Sequence, residues 1–270
     1  MSASVSTVPR GRVTQARVGR SEWTKLWSLR STRWSLLAAV LAMAAPGIII
    51  AAVQMNRWAT LGADERAHFD AIDTGVGGYH LAQLAVGVLG VLVISGEYST
   101  GMIRSSIMAV PRRLPVLIAK LAVFSVVTFV LMLAATLVSF FVVQAIVAGH
   151  HLDKSFGDPH ALRAVIGTAL YLTVLGALGL GLGALTRNTA GGIGAFVGVL
   201  FVLPGVTALL PSTTADAISP YLPFNAGTAV ATSTFENSHH LAPWTGFAIF
   251  CGYTAVILVA AAVQLVRRDA

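Results

Sequence analysis

Along this chain, polar and apolar positions are segregated into blocks. Uncharged, strongly apolar runs cover residues 34–53, 75–95, 121–149, 164–186, 189–210 and 243–266. A helix rises ~1.5 Å per residue, so about 20 residues cross a hydrocarbon core of ~30 Å. Each run is long enough, and six transmembrane helices are predicted. The third exceeds what an upright helix needs and is expected to tilt or to project from the membrane.

Glycine and proline punctuate the runs. Pro46-Gly47 is expected to kink the first span, and Pro204 to break the fifth near its outer third. Spans four and five form a tight hairpin joined at Arg187-Asn188. Gly179 with Gly183, and Gly194 with Gly198, stand four residues apart on one helix face each. In lipid such small residues let backbones approach closely, so packing is the expected role ahead of substrate contact. The loop 54–74 is expected to carry a short surface helix over 61–72, and 211–242 reads as the last outer loop. No internal repeat is visible.

Composition agrees with this pattern. Of 270 residues, 56% are hydrophobic and 11% charged, with a mean hydropathy of +0.77, whereas soluble domains carry about 25% charged residues. The chain reads as an all-α integral membrane protein. Its single cysteine, Cys251, lies in an apolar run and excludes a disulfide framework.

The net charge of +7 raises the question of nucleic acid, but the charges are sorted by loop. All but Arg57, Arg66, Lys154 and Arg163 of the 18 Lys and Arg fall on one set of segments, whereas only Glu22, Glu97 and Asp269 of the acids do. That is the signature of membrane orientation, and it puts both termini in the cytosol with no nucleic-acid partner expected. Three regions follow: a basic segment 1–33, a six-span domain 34–266 and a short tail 267–270.

Residues 1–20 are polar and basic without apolar periodicity and are expected to be disordered. Over 21–33, Trp23, Leu26 and Trp27 share a helical face that Lys25, Arg30 and Arg33 surround. This suits an amphipathic helix in the inner headgroup layer, or more simply tryptophan anchors on a positive flank. No removable signal peptide is expected.

The one long polar interruption on the cytosolic side between two spans is 96–120. Gly96 is expected to close the second span, Ser99 or Thr100 to cap a new helix, and Val110-Pro111 to end it. Ile103, Ile107 and Val110 form one stripe of that short helix, with Arg104 off it. Pro115 suits the start of the third span. Glu97 is placed to pair with Arg104, Arg112, Arg113 or a basic partner residue, although positive-inside bias alone accounts for the two adjacent arginines.

The run Gly96-Glu97-Tyr98-Ser99-Thr100-Gly101-Met102-Ile103-Arg104, with Ala109-Val110-Pro111-Arg112-Arg113 and Ala119-Lys120, resembles the permease subunits of type-2 ABC exporters from high-GC Gram-positive bacteria. Glu22-Trp23-Thr24-Lys25-Leu26 and Leu29-Arg30-Ser31-Thr32 are similar to the opening segment of the same family. The resemblance implies a multi-pass permease of the bacterial plasma membrane, exporting a multidrug-like or lipid-like substrate as a dimer with a second copy or a similar chain. It also implies a cytosolic coupling helix that docks on a separate ATPase, with Glu97, Tyr98, Gly101, Met102, Arg104, Arg112 and Arg113 as the coupling residues. ATP and Mg would be bound by that partner, with no cofactor in this chain. Under this reading Glu97→Lys is expected to weaken the ATPase's hold without affecting insertion.

Other chemistries find little support. Lys25, Lys120 and Lys154 do not follow a glycine in a phosphate-loop pattern, so ATP hydrolysis is expected elsewhere. The apolar runs carry no Asp, Glu, Lys or Arg in their interiors, which argues against a proton-coupled or sodium-coupled carrier and an intramembrane metalloprotease. His68, His80, His150, His151, His160, His239 and His240 fall in outer loops or at outer span ends without ligand spacing, and no metal site is expected. A non-transporting scaffold or immunity protein that binds an ATPase is the alternative reading. A membrane-embedded enzyme is disfavoured.

Overall fold

In the computed structural model, residues 15–99, 101, 113–233 and 241–267 are described. They form helices joined by short turns, with no strand among them. Six helices are long and apolar enough to cross a membrane, and each falls on one of the six predicted runs.

Helix α1, Gln15–Ser28, begins within the stretch expected to be disordered. The reason is a stripe that apolar periodicity alone does not reveal. Val18, Glu22 and Leu26, four residues apart, are buried, and Val18 packs on Val116 and Ala119. Trp23 and Trp27 lie beside that stripe with rings 5.8 Å apart and stay exposed, so the expected shared face of the two tryptophans with Leu26 is split. Leu29 is extended and separates α1 from α2, Arg30–Asn56, which continues through Pro46 as one helix.

The loop after α2 holds the short α3, Ala63–Ala67. Helix α4, Ala71–Val76, is capped by Asp70, whose Oδ1 accepts from the Ile72 and Asp73 amides at 2.7 and 2.9 Å. It continues after Gly77-Gly78 into α5, Tyr79–Ser99, so these two helices make the second span. Gly96 therefore does not end the helix as expected. The left-handed residue comes later, at Gly101 with φ +72°, because a glycine three residues from a helix end weakens it without stopping it. Helix α6, Arg113–Val147, is the long third span and has Pro115 in its first turn, where the absent N–H leaves no bond unmade.

Helix α7, Ala161–Thr186, is the centre of the bundle: 78% of its most apolar stretch is buried, against 17% for the fifth span. It packs on α5, α6 and α12, Pro243–Arg267. A Cβ at Gly179 would lie 2.3 Å from Gly87 O, and one at Gly183 2.9 Å from Val91 O, so α5 and α7 touch through their backbones. Tyr171, fully buried on α7, donates to Gln83 Oε1 on α5 at 2.7 Å, and Gln83 Nε2 donates to His80 O. This satisfies the main buried polar contact in the middle of the bundle.

Arg187 turns the chain with φ 52°, and Asn188 caps α8, Thr189–Val197, by accepting from Gly191 N. A π-helical turn at Gly198–Val202 precedes α9, Leu203–Thr207, where Pro204 removes an amide from the ladder. After α10, Ser212–Ile218, the loop departs from its expected character. Helix α11, Pro223–Thr228, turns back into the protein, and Ala226, Val230 and Ala231 are fully buried. Close approach makes this possible: Cβ atoms at Gly167 and Gly246 would lie 2.2 Å from Val230 O and 2.7 Å from Ala226 O. Asp73 Oδ1 accepts from Ser233 N at 2.6 Å and Arg163 donates to Thr232 O at 3.0 Å, which fastens this segment to α4 and α7.

Candidate functional site

Four charged side chains meet at the end of the bundle where α1 lies beside the end of α12. Glu22 and Lys25 stand one turn apart on α1, Glu97 is in the last turn of α5, and Lys120 is in the second turn of α6. Lys120 Nζ lies 2.6 Å from Glu22 Oε2 and 2.8 Å from Glu97 Oε1. Lys25 Nζ lies 2.6 Å from Glu22 Oε1 and 3.0 Å from Glu97 Oε1. The side chains of Glu22, Glu97 and Lys120 are 4–6% exposed, that of Lys25 30%.

Taking such groups out of water costs several kcal/mol each, and only close opposite charges with good hydrogen bonds offset it. Here two carboxylates meet two ammoniums and the set is neutral. Lys120 gives two of its three donors to carboxylates. For Lys25, burial would lower the pKa, but hydrogen bonds and charge from Glu22 and Glu97 outweigh it and raise the pKa above its ordinary value. One atom stays unmatched: Glu97 Oε2 is buried with no hydrogen-bond partner among the described residues.

The same end holds a second contact set. The Arg187 guanidinium sits 5.6 Å from the centre of the Tyr98 ring and donates to Gln264 O on α12. Thr189 Oγ1 donates to Ser95 Oγ at 2.9 Å. The beginnings of α6 and α8 and the ends of α5, α7 and α12 are thus held together beside α1.

Of the coupling residues expected from the sequence, the structure places Glu97 and Tyr98 in these two contact sets and leaves Gly101 exposed. Met102, Arg104 and Arg112, and with them the expected coupling helix, lie outside the described residues. Arg113 opens α6. Glu97 is paired with Lys25 and Lys120, two lysines outside the set of partners expected from the sequence. Its carboxylate is buried in the chain, so any effect on a partner runs through the helices it joins. Leu26 is buried in the apolar cluster around Leu117 and Phe124, while Trp23, Trp27 and Arg30 are exposed. Gly194 and Gly198, unlike Gly179 and Gly183, have none of the described residues against them.

Sequence reasoning missed Glu22 and Lys120. A signal was present, because an acid amid a strongly basic set of segments needs a local partner. The apolar run also begins at residue 121, so Lys120 abuts it, and a helix through both puts the ammonium inside.

A family model described as "ABC-2 family transporter protein" matches residues 29–270. The match includes Glu97 and Lys120 and stops short of Glu22 and Lys25. No curated protein matches the chain.

Proposed function

The chain belongs to the ABC-2 transporter family, and from that premise we propose that it is the export permease of an ATP-driven system, working as a dimer driven by separate ATPase subunits. Membership and six spans make it a multi-pass permease of the bacterial plasma membrane within an ABC transporter. Direction, dimer and the manner of coupling are our reading.

The observation that carries the coupling is the four-charge cluster. Segment 100–112 joins α5 to α6, and Glu97 and Lys120 bracket it at 2.8 Å from one another. Glu22 and Lys25 add α1 to the same unit. A push on the connecting segment by an ATPase in the cytosol would therefore move α1, α5 and α6 together, and α5 lies against the central α7. ATP and Mg would be held by the partner. The positive-inside bias supports a cytosolic location for this end.

For the dimer, the supporting observation is the fifth span. It is the least enclosed of the six, and Gly194 and Gly198 present a small-residue face with none of the described residues against it. A second copy meeting that face across a two-fold axis would bury it. The interior of the spans is mostly aliphatic, with the Gln83–Tyr171 pair and scattered uncharged polar side chains such as Thr128, Thr136, Ser139, Gln144 and Thr168, which fits an amphipathic or lipid-like cargo.

The test is co-expression with a candidate ABC ATPase, followed by affinity capture and ATP-dependent efflux from vesicles. Capture with efflux is expected. Capture without movement of any amphipathic cargo would favour the scaffold reading, and no capture would overturn the proposal.

A further inference from the structure

Within the six apolar runs of the sequence, His80 is the one side chain that can carry a charge near neutral pH. Its run begins at residue 75, which places it near the outer end of the second span. Helix α4 prolongs that span to Ala71, so His80 lies nine residues in from Ala71 and nineteen from Ser99. An ionisable group kept inside a span is costly, and it marks a functional contact by default. Here no partner within the protein accounts for it. The side chain is exposed, and neither ring nitrogen has a hydrogen-bond partner among the described residues. Asp73 and Arg163, at the outer end of the bundle, are engaged with Ser233 N and Thr232 O.

The position of the ring is nonetheless well fixed. Gln83 Nε2 donates to His80 O at 3.0 Å, and the Tyr171 hydroxyl holds Gln83 from its other side. The imidazole centre lies 4.1 Å from that of the Tyr79 ring and 6.3 Å from that of Phe224 on α11. Below it runs an open face of α5. Leu84 follows one turn after His80, and Leu81, Leu84 and Leu92 are exposed with Val88 half-buried between them. From His80 to Leu92 this face is ~18 Å long, an aliphatic strip with one basic group at its outer end. No carboxylate stands on the strip, so a cationic headgroup would find no counter-charge there. An anionic headgroup could accept a charge-assisted hydrogen bond from the imidazole.

We infer that this face takes an amphiphile with an anionic headgroup, a carboxylate or a phosphate monoester, which accepts from the His80 imidazole while its chain lies along Leu84, Val88 and Leu92. As an identification of cargo, this deepens the permease reading and rests on it. As a statement about binding it does not, so binding measured without an ATPase separates the two.

The experiment uses the purified full chain in phosphatidylcholine nanodiscs, with protein-free nanodiscs as the reference for partitioning. Four probes share one fluorophore and one alkyl chain and end in a carboxylate, a phosphate, a hydroxyl or a trimethylammonium group. Wild type is expected to bind the two anionic probes about tenfold more tightly than the other two, the size of one charge-assisted hydrogen bond. His80→Gln should abolish that preference with thermal unfolding unchanged, and His80→Arg, whose charge persists, should keep it. Equal binding of all four by wild type, tighter binding of the trimethylammonium probe, or an anionic preference that survives His80→Gln would overturn the assignment. With a candidate ATPase in vesicles, the anionic probes should be the ones exported. Anionic preference in binding with export of only the neutral or cationic probes would make the face a resident-lipid site and overturn its role in cargo choice. The same preference with export of no probe would support the site and count against the permease reading instead.

Discussion

Lys120 Nζ reaches Glu22 Oε2 at 2.6 Å across 98 residues of sequence, and both side chains are almost completely buried. Through that contact the N-terminal helix is anchored to the third span, and Glu97 and Lys25 complete a neutral set around it.

Removing one member should cost far more than removing all. Lys120→Met leaves Glu22 and Glu97 with half their compensation, and a loss of about 3–5 kcal/mol is expected. Replacing Glu22, Lys25, Glu97 and Lys120 together by leucine or methionine should restore most of that stability. Thermal unfolding of both variants in one detergent measures the difference. Comparable losses would mean that the charges are not interdependent.

Glu97→Lys sets a third ammonium beside Lys25 and Lys120. Helix α1 is expected to leave α6, shifting the emission of Trp23 and Trp27, with insertion unchanged. ATPase capture should fall in step with that release, and Glu97→Gln should give a smaller change in both. Weakened capture with α1 still docked would instead indicate direct contact between Glu97 and the partner.

Alkaline pH tests the electrostatics of Lys25. Its folded-state pKa is raised, so the stability it adds is fully present below 10.5 and is lost as pH climbs through the higher folded value. Helix α1 should stay docked at neutral pH and loosen only above 10.5, as followed by tryptophan emission. In Lys25→Arg, whose charge persists, the release attributable to this residue should vanish.

The glycine pairs should separate by substitution. Gly179→Leu drives a side chain into Gly87 O and should destabilise the protomer by at least about 1–3 kcal/mol. Gly194→Leu meets none of the described residues of its own chain and should leave protomer unfolding unchanged while weakening association of two copies. Disulfide trapping of Gly194→Cys in a Cys251→Ser background reports that association directly.

Tyr171→Phe leaves Gln83 Oε1 buried without its donor and should cost about 1–3 kcal/mol. If transport depends on this pair, efflux should fall more than stability does.

The transmembrane architecture was legible because lipid solvation is summed over contiguous residues. Runs without charges cross the bilayer, and Arg187-Asn188 and Pro115 mark turns and starts by local backbone chemistry alone. The ends were less legible. Val18, Glu22 and Leu26 are buried on α1 although one is an acid, and residues 226–231 fold inward although they lie in a loop, because in both cases the partner surface is supplied by distant helices.

Composition and charge order alone determined six spans, their order and the sorting of basic segments, since each is a property of neighbours in the chain. Folding in three dimensions decided that Glu97 faces Lys25 and Lys120, that Gly179 packs while Gly194 stays open, and that His80 is exposed at the head of an open face of α5. Those outcomes depend on how each helix is rotated and how closely it approaches the next, a relation between remote residues to which local hydropathy contributes nothing.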